Sequence, residues 1–209
     1  MTRTARMLAG CIAVAVTAVT TPVLAAPTTA SAQPTSGASL DRLSPDEVRD
    51  LESRFPVQAK RVREAIAHSS GSGGVGTTAA EFYKIRNQNS GKCLAIGSSS
   101  HANGARAIQW DCLNSNAQVW VWGSEHLVNF NSGKYLAIGA GSIANGANAI
   151  QWERTGTAAQ RWRKDGAHII NQNSRKFLAI GAGSDANGAN AIQWDYTGTA
   201  TQRWTWAPQ

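Results

Sequence analysis

The residue types best suited to chemistry are three tryptophans, Trp110, Trp152 and Trp194. Each follows an Ile-Gln pair and precedes Asp111, Glu153 or Asp195, within a polar stretch. A flat ring beside polar side chains suits a sugar, whose C–H face stacks on the ring while its hydroxyls take directional hydrogen bonds. A half-buried aromatic that packs only against its own loop fits the same pattern. The residues alone leave these two readings level.

Other chemistry lacks its residues. His101 has Ile143 and Asp185 as counterparts in an internal repeat, while His126 and His168 match each other and Lys84. No H-E-x-x-H, cysteine cluster or nucleophile elbow accompanies them. Among the acids only Asp111, Glu153 and Asp195 recur, whereas a glycosidase needs two carboxylates at a defined separation. The expectation is a non-enzyme with no catalytic residue, no metal and no cofactor.

The elements that must position the tryptophans are set by the repeat. The stretch Asn131–Trp162 recurs without gaps 42 residues earlier, at Asn89–Trp120, and 42 residues later, at Asn173–Trp204. A unit of this length cannot close its own core, so neighbouring copies must bury one another. Three near-equal units can close on a threefold axis and leave no ends to cap. In the first unit the strand candidates are Phe82–Arg86, Lys92–Ile96, Ala105–Trp110 and Gln118–Trp122, with turns at Asn89-Ser90-Gly91 and at Asn103-Gly104. The second turn recurs as Asn145-Gly146 and Asn187-Gly188, a dipeptide that tolerates positive φ. The expected fold is all-β, twelve strands in three repeats at about 81–124, 125–166 and 167–209. Trp120, Trp162 and Trp204 are expected to fill its core. Gln118, Gln160 and Gln202, two residues earlier on the same strand face, are expected to satisfy backbone groups of the loop above.

The chain ahead of the repeats divides into three. Residues 1–32 read as a secretory signal: Arg3 and Arg6, an apolar run from Met7 to Val19, and a small-residue cleavage site at Ala30-Ser31-Ala32. Residues 33–68 hold a linker and a helical hairpin. Ser44 is the N-cap, Pro45 opens the first helix, Glu47 completes a capping box, and Phe55-Pro56 breaks it before a second helix from Val57 to about His68. Leu43, Val48 and Leu51, then Val62 and Ile66, fall on one side each. So few apolar residues make no independent core, so the hairpin either docks on something or presents residues 40–68 to a protein partner. Residues 69–80 form a Gly/Ser linker.

Once the leader is cleaved, Cys93 and Cys112 remain, an even pair that reads as a disulfide in an exported chain. Their counterparts are Tyr135 and Arg154, then Phe177 and Tyr196, so both cysteines belong to one repeat only. Of the net charge of +7, residues 81–209 carry twelve basic and seven acidic side chains, spread without a stripe. That distribution excludes a nucleic-acid footprint. The expectation is a secreted protein with no nucleic-acid partner and no membrane contact after cleavage.

Three triplets of the form Q-x-W, QVW at 118–120 and QRW at 160–162 and 202–204, close the three units. In this respect residues 81–209 resemble the ricin B-chain-type lectins and carbohydrate-binding modules. The resemblance implies a β-trefoil with one shallow sugar pocket per repeat. It implies a stacking role for Trp110, Trp152 and Trp194, an intra-repeat disulfide at Cys93 and Cys112, and a carbohydrate or polysaccharide partner. It departs at two positions. The family's aspartate on the second strand is replaced by Ala95, Ala137 and Ala179, and the asparagine before the Q-x-W glutamine by Ala117, Ala159 and Thr201. A ligand would then be held by Gln109, Gln151 and Gln193 or by the turn residues Asn103, Asn145 and Asn187. The alternative is a trefoil with degenerate sugar sites that serves as a protein-binding or inhibitor module.

Overall fold

The structure, a computed structural model, describes residues 43–69 and 81–206. The expected signal at 1–32 and most of the Gly/Ser linker lie outside these residues.

Two helices precede the repeats, α1 (Pro45–Arg54) and α2 (Pro56–Ser69). The capping box is present: Ser44 N donates to Glu47 Oε2 at 2.7 Å and Glu47 N to Ser44 Oγ at 3.3 Å. Phe55 ends α1 in a non-helical conformation, as the proline after it requires.

The first repeat comprises β1 (Glu81–Lys84), β2 (Arg86–Asn87), β3 (Cys93–Ile96), β4 (Ala107–Trp110) and β5 (Val119–Gly123). The second has β6 (His126–Asn129), β7 (Tyr135–Ile138), β8 (Ala149–Trp152) and β9 (Trp162–Asp165), and the third β10 (His168–Asn171), β11 (Phe177–Ile180), β12 (Ala191–Trp194) and β13 (Trp204–Thr205). All pairings are antiparallel, and β1 and β2 together supply the one outer strand that the first repeat needs. The ring closes end to end: β13 pairs with β2 through Trp204 and Asn87, while Trp162 N donates to Glu125 O and Trp204 N to Ala167 O, each at 2.7 Å. Bridges from Arg106 to Ile150, Ile108 to Asn190 and Asn148 to Ile192 join the three inner hairpins about the axis. This is the β-trefoil architecture.

Trp120, Trp162 and Trp204 are at most 1% exposed, and each indole Nε1–H donates at 2.9 Å to a carbonyl of its own repeat, Leu94, Leu136 or Leu178. A buried ring whose N–H is satisfied contributes apolar burial without leaving a polar group unpaired. Trp122, Lys164 and Trp206 hold equivalent positions two residues further on. There the Lys164 ammonium lies 4.6 Å from the Trp122 ring and 4.2 Å from that of Tyr83, a cation–π contact.

The helical hairpin docks on the trefoil. Leu51, Ala59, Val62 and Ala65 bury against Phe82, Val119, Val121, Val128 and Phe130, with Leu43, Val48, Phe55 and Ile66 at the edges. Leu43 N donates to Phe82 O at 3.0 Å, and the Tyr135 hydroxyl donates to Ala65 O. Two glycines make the close approach possible: a Cβ on Gly123 would stand 2.9 Å from Ile66 Cγ2, and one on Gly133 2.9 Å from Arg61 Cβ. One repeat later these two positions are Asp165 and Arg175, and Val119 and Val121 become Arg161 and Arg163. The corresponding surface there is an open cleft of about 330 Å³ lined by Glu125, Arg163, Arg175 and Phe177. The apolar side of residues 43–68 is turned to the trefoil.

Cys93 and Cys112 are bonded, with Cα atoms 5.0 Å apart. At the equivalent place in the third repeat Phe177 and Tyr196 pack at a tilt, with ring centroids 4.9 Å apart. Closing a loop of about 20 residues restricts the unfolded chain by about 3 kcal/mol. Reduction of this bond is expected to lower the urea midpoint accordingly. An unchanged midpoint would show that packing alone holds the first repeat.

Candidate sugar-binding pockets

Strand alternation decides which residues face outward. In the β3–β4 pair Cys93 lies opposite Trp110, Leu94 opposite Gln109, Ala95 opposite Ile108 and Ile96 opposite Ala107, and the other two repeats keep this register. Because side chains alternate between faces, Trp110, Ile108 and Ala95 share the outer face while Gln109, Leu94 and Ile96 share the inner one. Trp110, Trp152 and Trp194 are accordingly 38–41% exposed.

In the first repeat a pocket of about 250 Å³ is lined by Ala95, Ile108, Trp110, Leu113 and Ala117, with Ser98, Ser99 and Ser115 at its rim. In the second a pocket of about 400 Å³ is lined by Ala137, Ile150, Trp152, Thr155, Thr157 and Ala159. Its rim includes Asn173 of the third repeat, whose Nδ2 donates to Gly141 O at 2.9 Å. The third repeat offers the same outer row in Ala179, Ile192 and Trp194, with Thr197, Thr199 and Thr201 following. The alanines at both departures from the family pattern thus form pocket wall: Ala95 and Ala117 in one pocket, Ala137 and Ala159 in the other.

The assignment of Gln109, Gln151 and Gln193 as ligand-holding groups is corrected by the structure. All three are 0% exposed and their amides are committed. Gln151 Oε1 accepts from Ser132 Oγ at 2.7 Å, and its Nε2 donates to Ser100 O at 2.7 Å and Ala102 O at 2.9 Å. Gln109 makes the same three bonds to Ser90, Ser184 and Ala186, and Gln193 to Ser174, Ser142 and Ala144. These glutamines tie each inner hairpin to the loop of a neighbouring repeat. The reason is parity: a residue adjacent to an outward tryptophan on a strand must point inward.

The turn asparagines are likewise engaged across repeats. Asn145 Oδ1 accepts from Asp195 N at 2.9 Å and its Nδ2 donates to Asp195 Oδ2 at 2.8 Å. Asn187 does the same with Asp111, and Asn103 Oδ1 accepts from Glu153 N at 3.1 Å. The glycine after each asparagine lies against the next platform: a Cβ on Gly104 would be 3.5 Å from Trp152 Cζ3, and one on Gly146 3.5 Å from Trp194 Cζ3. These asparagines therefore buttress the platforms. Ion pairs with Lys92 and Lys176, and secondarily the asparagine amides, hold the carboxyls of Asp111 and Asp195 below the usual carboxylate range.

Gln118, Gln160 and Gln202 satisfy loop backbone as expected; Gln118 accepts from Leu113 N and donates to Asp111 O, both at 2.7 Å. They sit in 3₁₀ turns (Asn116–Gln118, Ala158–Gln160, Ala200–Gln202), one or two residues before β5, β9 and β13 instead of on them. Sequence reasoning missed Asn173 and the isoleucines Ile108, Ile150 and Ile192. The isoleucines were legible from their two-residue offset to each tryptophan. Asn173 was not, since it arrives from the adjoining repeat. Among the described residues no three His, Cys, Asp or Glu side chains come together as a metal site.

A threefold trefoil with an exposed aromatic pocket on its repeats is the architecture of a small-ligand-binding module. The profile of the ricin-type beta-trefoil lectin domain matches residues 81–204, and the chain belongs to that family. Among solved structures the chain is 33% identical to the designed threefold-symmetric protein ThreeFoil, with a TM-score of 0.56, covering 59% of this chain and 95% of that one. It is 27% identical to an exo-β-1,3-galactanase from Clostridium thermocellum (TM-score 0.56), covering 65% of this chain but 31% of the enzyme. The C-terminal half of an earthworm R-type lectin, solved with GalNAc, shares the fold at 19% identity, with a TM-score of 0.52 over 59% of this chain and 95% of that one. No curated protein sequence matches the chain significantly.

Proposed function

We propose that this chain is a secreted, non-catalytic lectin that binds neutral glycans through up to three shallow pockets built on Trp110, Trp152 and Trp194. The observation that carries this reading is the exposure of these rings, 38–41%, in a trefoil whose other equivalent tryptophans are fully buried. A solvent-facing ring held rigidly by a turn on one side and open on the other is a stacking surface already in its bound geometry. The disulfide fits an oxidising compartment. The recurring acids fit a structural role, since Asp111 and Asp195 are each tied to a lysine and an asparagine.

The test is a glycan array and polysaccharide pull-down with the full chain and with a Trp110/Trp152/Trp194→Ala variant. Loss of stacking is expected to weaken binding about tenfold at each site, the equivalent of about 1.4 kcal/mol, and more for a polysaccharide that engages several sites at once. The thermal melt should remain cooperative. Binding that is unchanged in the folded variant would favour the protein-binding reading, to which the alanines at the clamp positions also point.

A further inference from the structure

The pocket walls are more selective than their platforms. Around Trp110 the wall is Ala95, Ile108 and Ala117, joined by Leu113, and around Trp152 it is Ala137, Ile150 and Ala159. Gln118 and Gln160 also line the pockets, but their amides are spent on loop backbone at Asp111, Leu113, Glu153 and Thr155. No ionisable side chain lines either pocket. A sugar hydroxyl pressed against such a wall loses its water and finds no partner. A methyl group placed there gains from burial. The remaining polar groups stand apart at the rim: Ser98, Ser99 and Ser115 in the first pocket, and Thr157 and Asn173 in the second, beside Thr155, whose hydroxyl donates to Gln160 Oε1 at 3.0 Å. An apolar floor below a ring of hydroxyls and an amide matches a substituent with a methyl end and a carbonyl beside it.

We propose, building on the lectin reading above, that the pockets of the first and second repeats select glycans carrying acetyl groups. The methyl lies on the alanine and isoleucine floor, the carbonyl accepts from the rim, and the sugar face stacks on the tryptophan. The third repeat places Thr201 where the others have Ala117 and Ala159, and its hydroxyl is bonded to that of Thr199 at 2.8 Å. Its pocket is correspondingly the least selective of the three.

Acetyl groups occur on sugars as amides and as esters, and the test separates them. Calorimetric titration of the full chain compares two matched pairs: chitohexaose against cellohexaose, and acetylated xylo-oligosaccharide against the same material after alkaline deacetylation. The acetylated member of at least one pair is expected to bind about fourfold tighter for each methyl buried; which pair responds identifies the amide or the ester. An Ala95→Asp, Ala137→Asp variant should lose that preference. If aspartate prevents folding, Ala95→Ser with Ala137→Ser makes the same comparison. Binding that depends on Trp110 and Trp152 but is equal within both pairs, or favours the hydroxyl forms, would overturn the acetyl selectivity and leave the lectin reading standing. Absence of any tryptophan-dependent glycan binding, in these pairs and on the array, would overturn both.

Discussion

A Gln151→Ala variant is expected to lose about 3 kcal/mol of stability while glycan affinity of the folded protein stays at the wild-type level. The side chain's three hydrogen bonds reach two repeats, and its removal leaves the carbonyls of Ser100 and Ala102 and the hydroxyl of Ser132 without their partner. Each buried polar group so abandoned costs about 1–3 kcal/mol, far more than the net worth of an intact bond. Denaturant titration would read the loss as a lower midpoint, and titration with the glycan found by the array would read the affinity. A stable variant with weakened sugar binding would instead put Gln151 in contact with ligand.

Val62→Asp is expected to detach the helical hairpin. Val62 is 1% exposed and packs into the cluster of Phe82, Val119, Val121, Val128 and Phe130. A carboxylate there has no cationic partner within the cluster, and burying it unpaired costs several kcal/mol. Undocking avoids that cost and uncovers an apolar strip on the trefoil. New protease cleavage within residues 43–69, binding of a hydrophobic dye and self-association should appear together, whereas Glu64→Ala on the exposed side should change none of them. Continued protection of the hairpin would mean that other contacts hold it.

The scaffold was legible because its signals are periodic. Q-x-W, Asn-Gly and the gap-free register each recur three times, and a feature repeated on a closed threefold structure has only one place to go. The hairpin's own form was equally legible, from Ser44, Pro45, Glu47 and Phe55-Pro56, since capping and proline effects act within a few residues. Its destination was written in the broken symmetry: Val119 and Val121 stand where the next repeat has Arg161 and Arg163, a contrast that marks a covered surface. The pocket was only half legible. Its outer row follows from strand parity, which also removes Gln109, Gln151 and Gln193 from the ligand. The roles of Asn103, Asn145, Asn187 and Asn173 depend on contacts between repeats, and spacing within one unit carries no information about those.

The seam between β2 and β13 has a consequence for timing. β2 has β3 as one neighbour through Arg86 and Cys93, but its other edge waits for Trp204, so a growing chain cannot complete the barrel until Trp204 is made. Contacts between distant parts of a chain make folding slow, because the intervening loop must be closed before any reward arrives. The same seam, held also by Asn87 Nδ2 donating to Thr201 O at 2.8 Å and Gln88 N to Arg203 O at 2.9 Å, must break before the ring opens. Where such contacts form after the folding barrier, their loss governs unfolding. A trefoil closed in this way is late to form and slow to come apart, a long-lived shape whose persistence is kinetic as much as energetic.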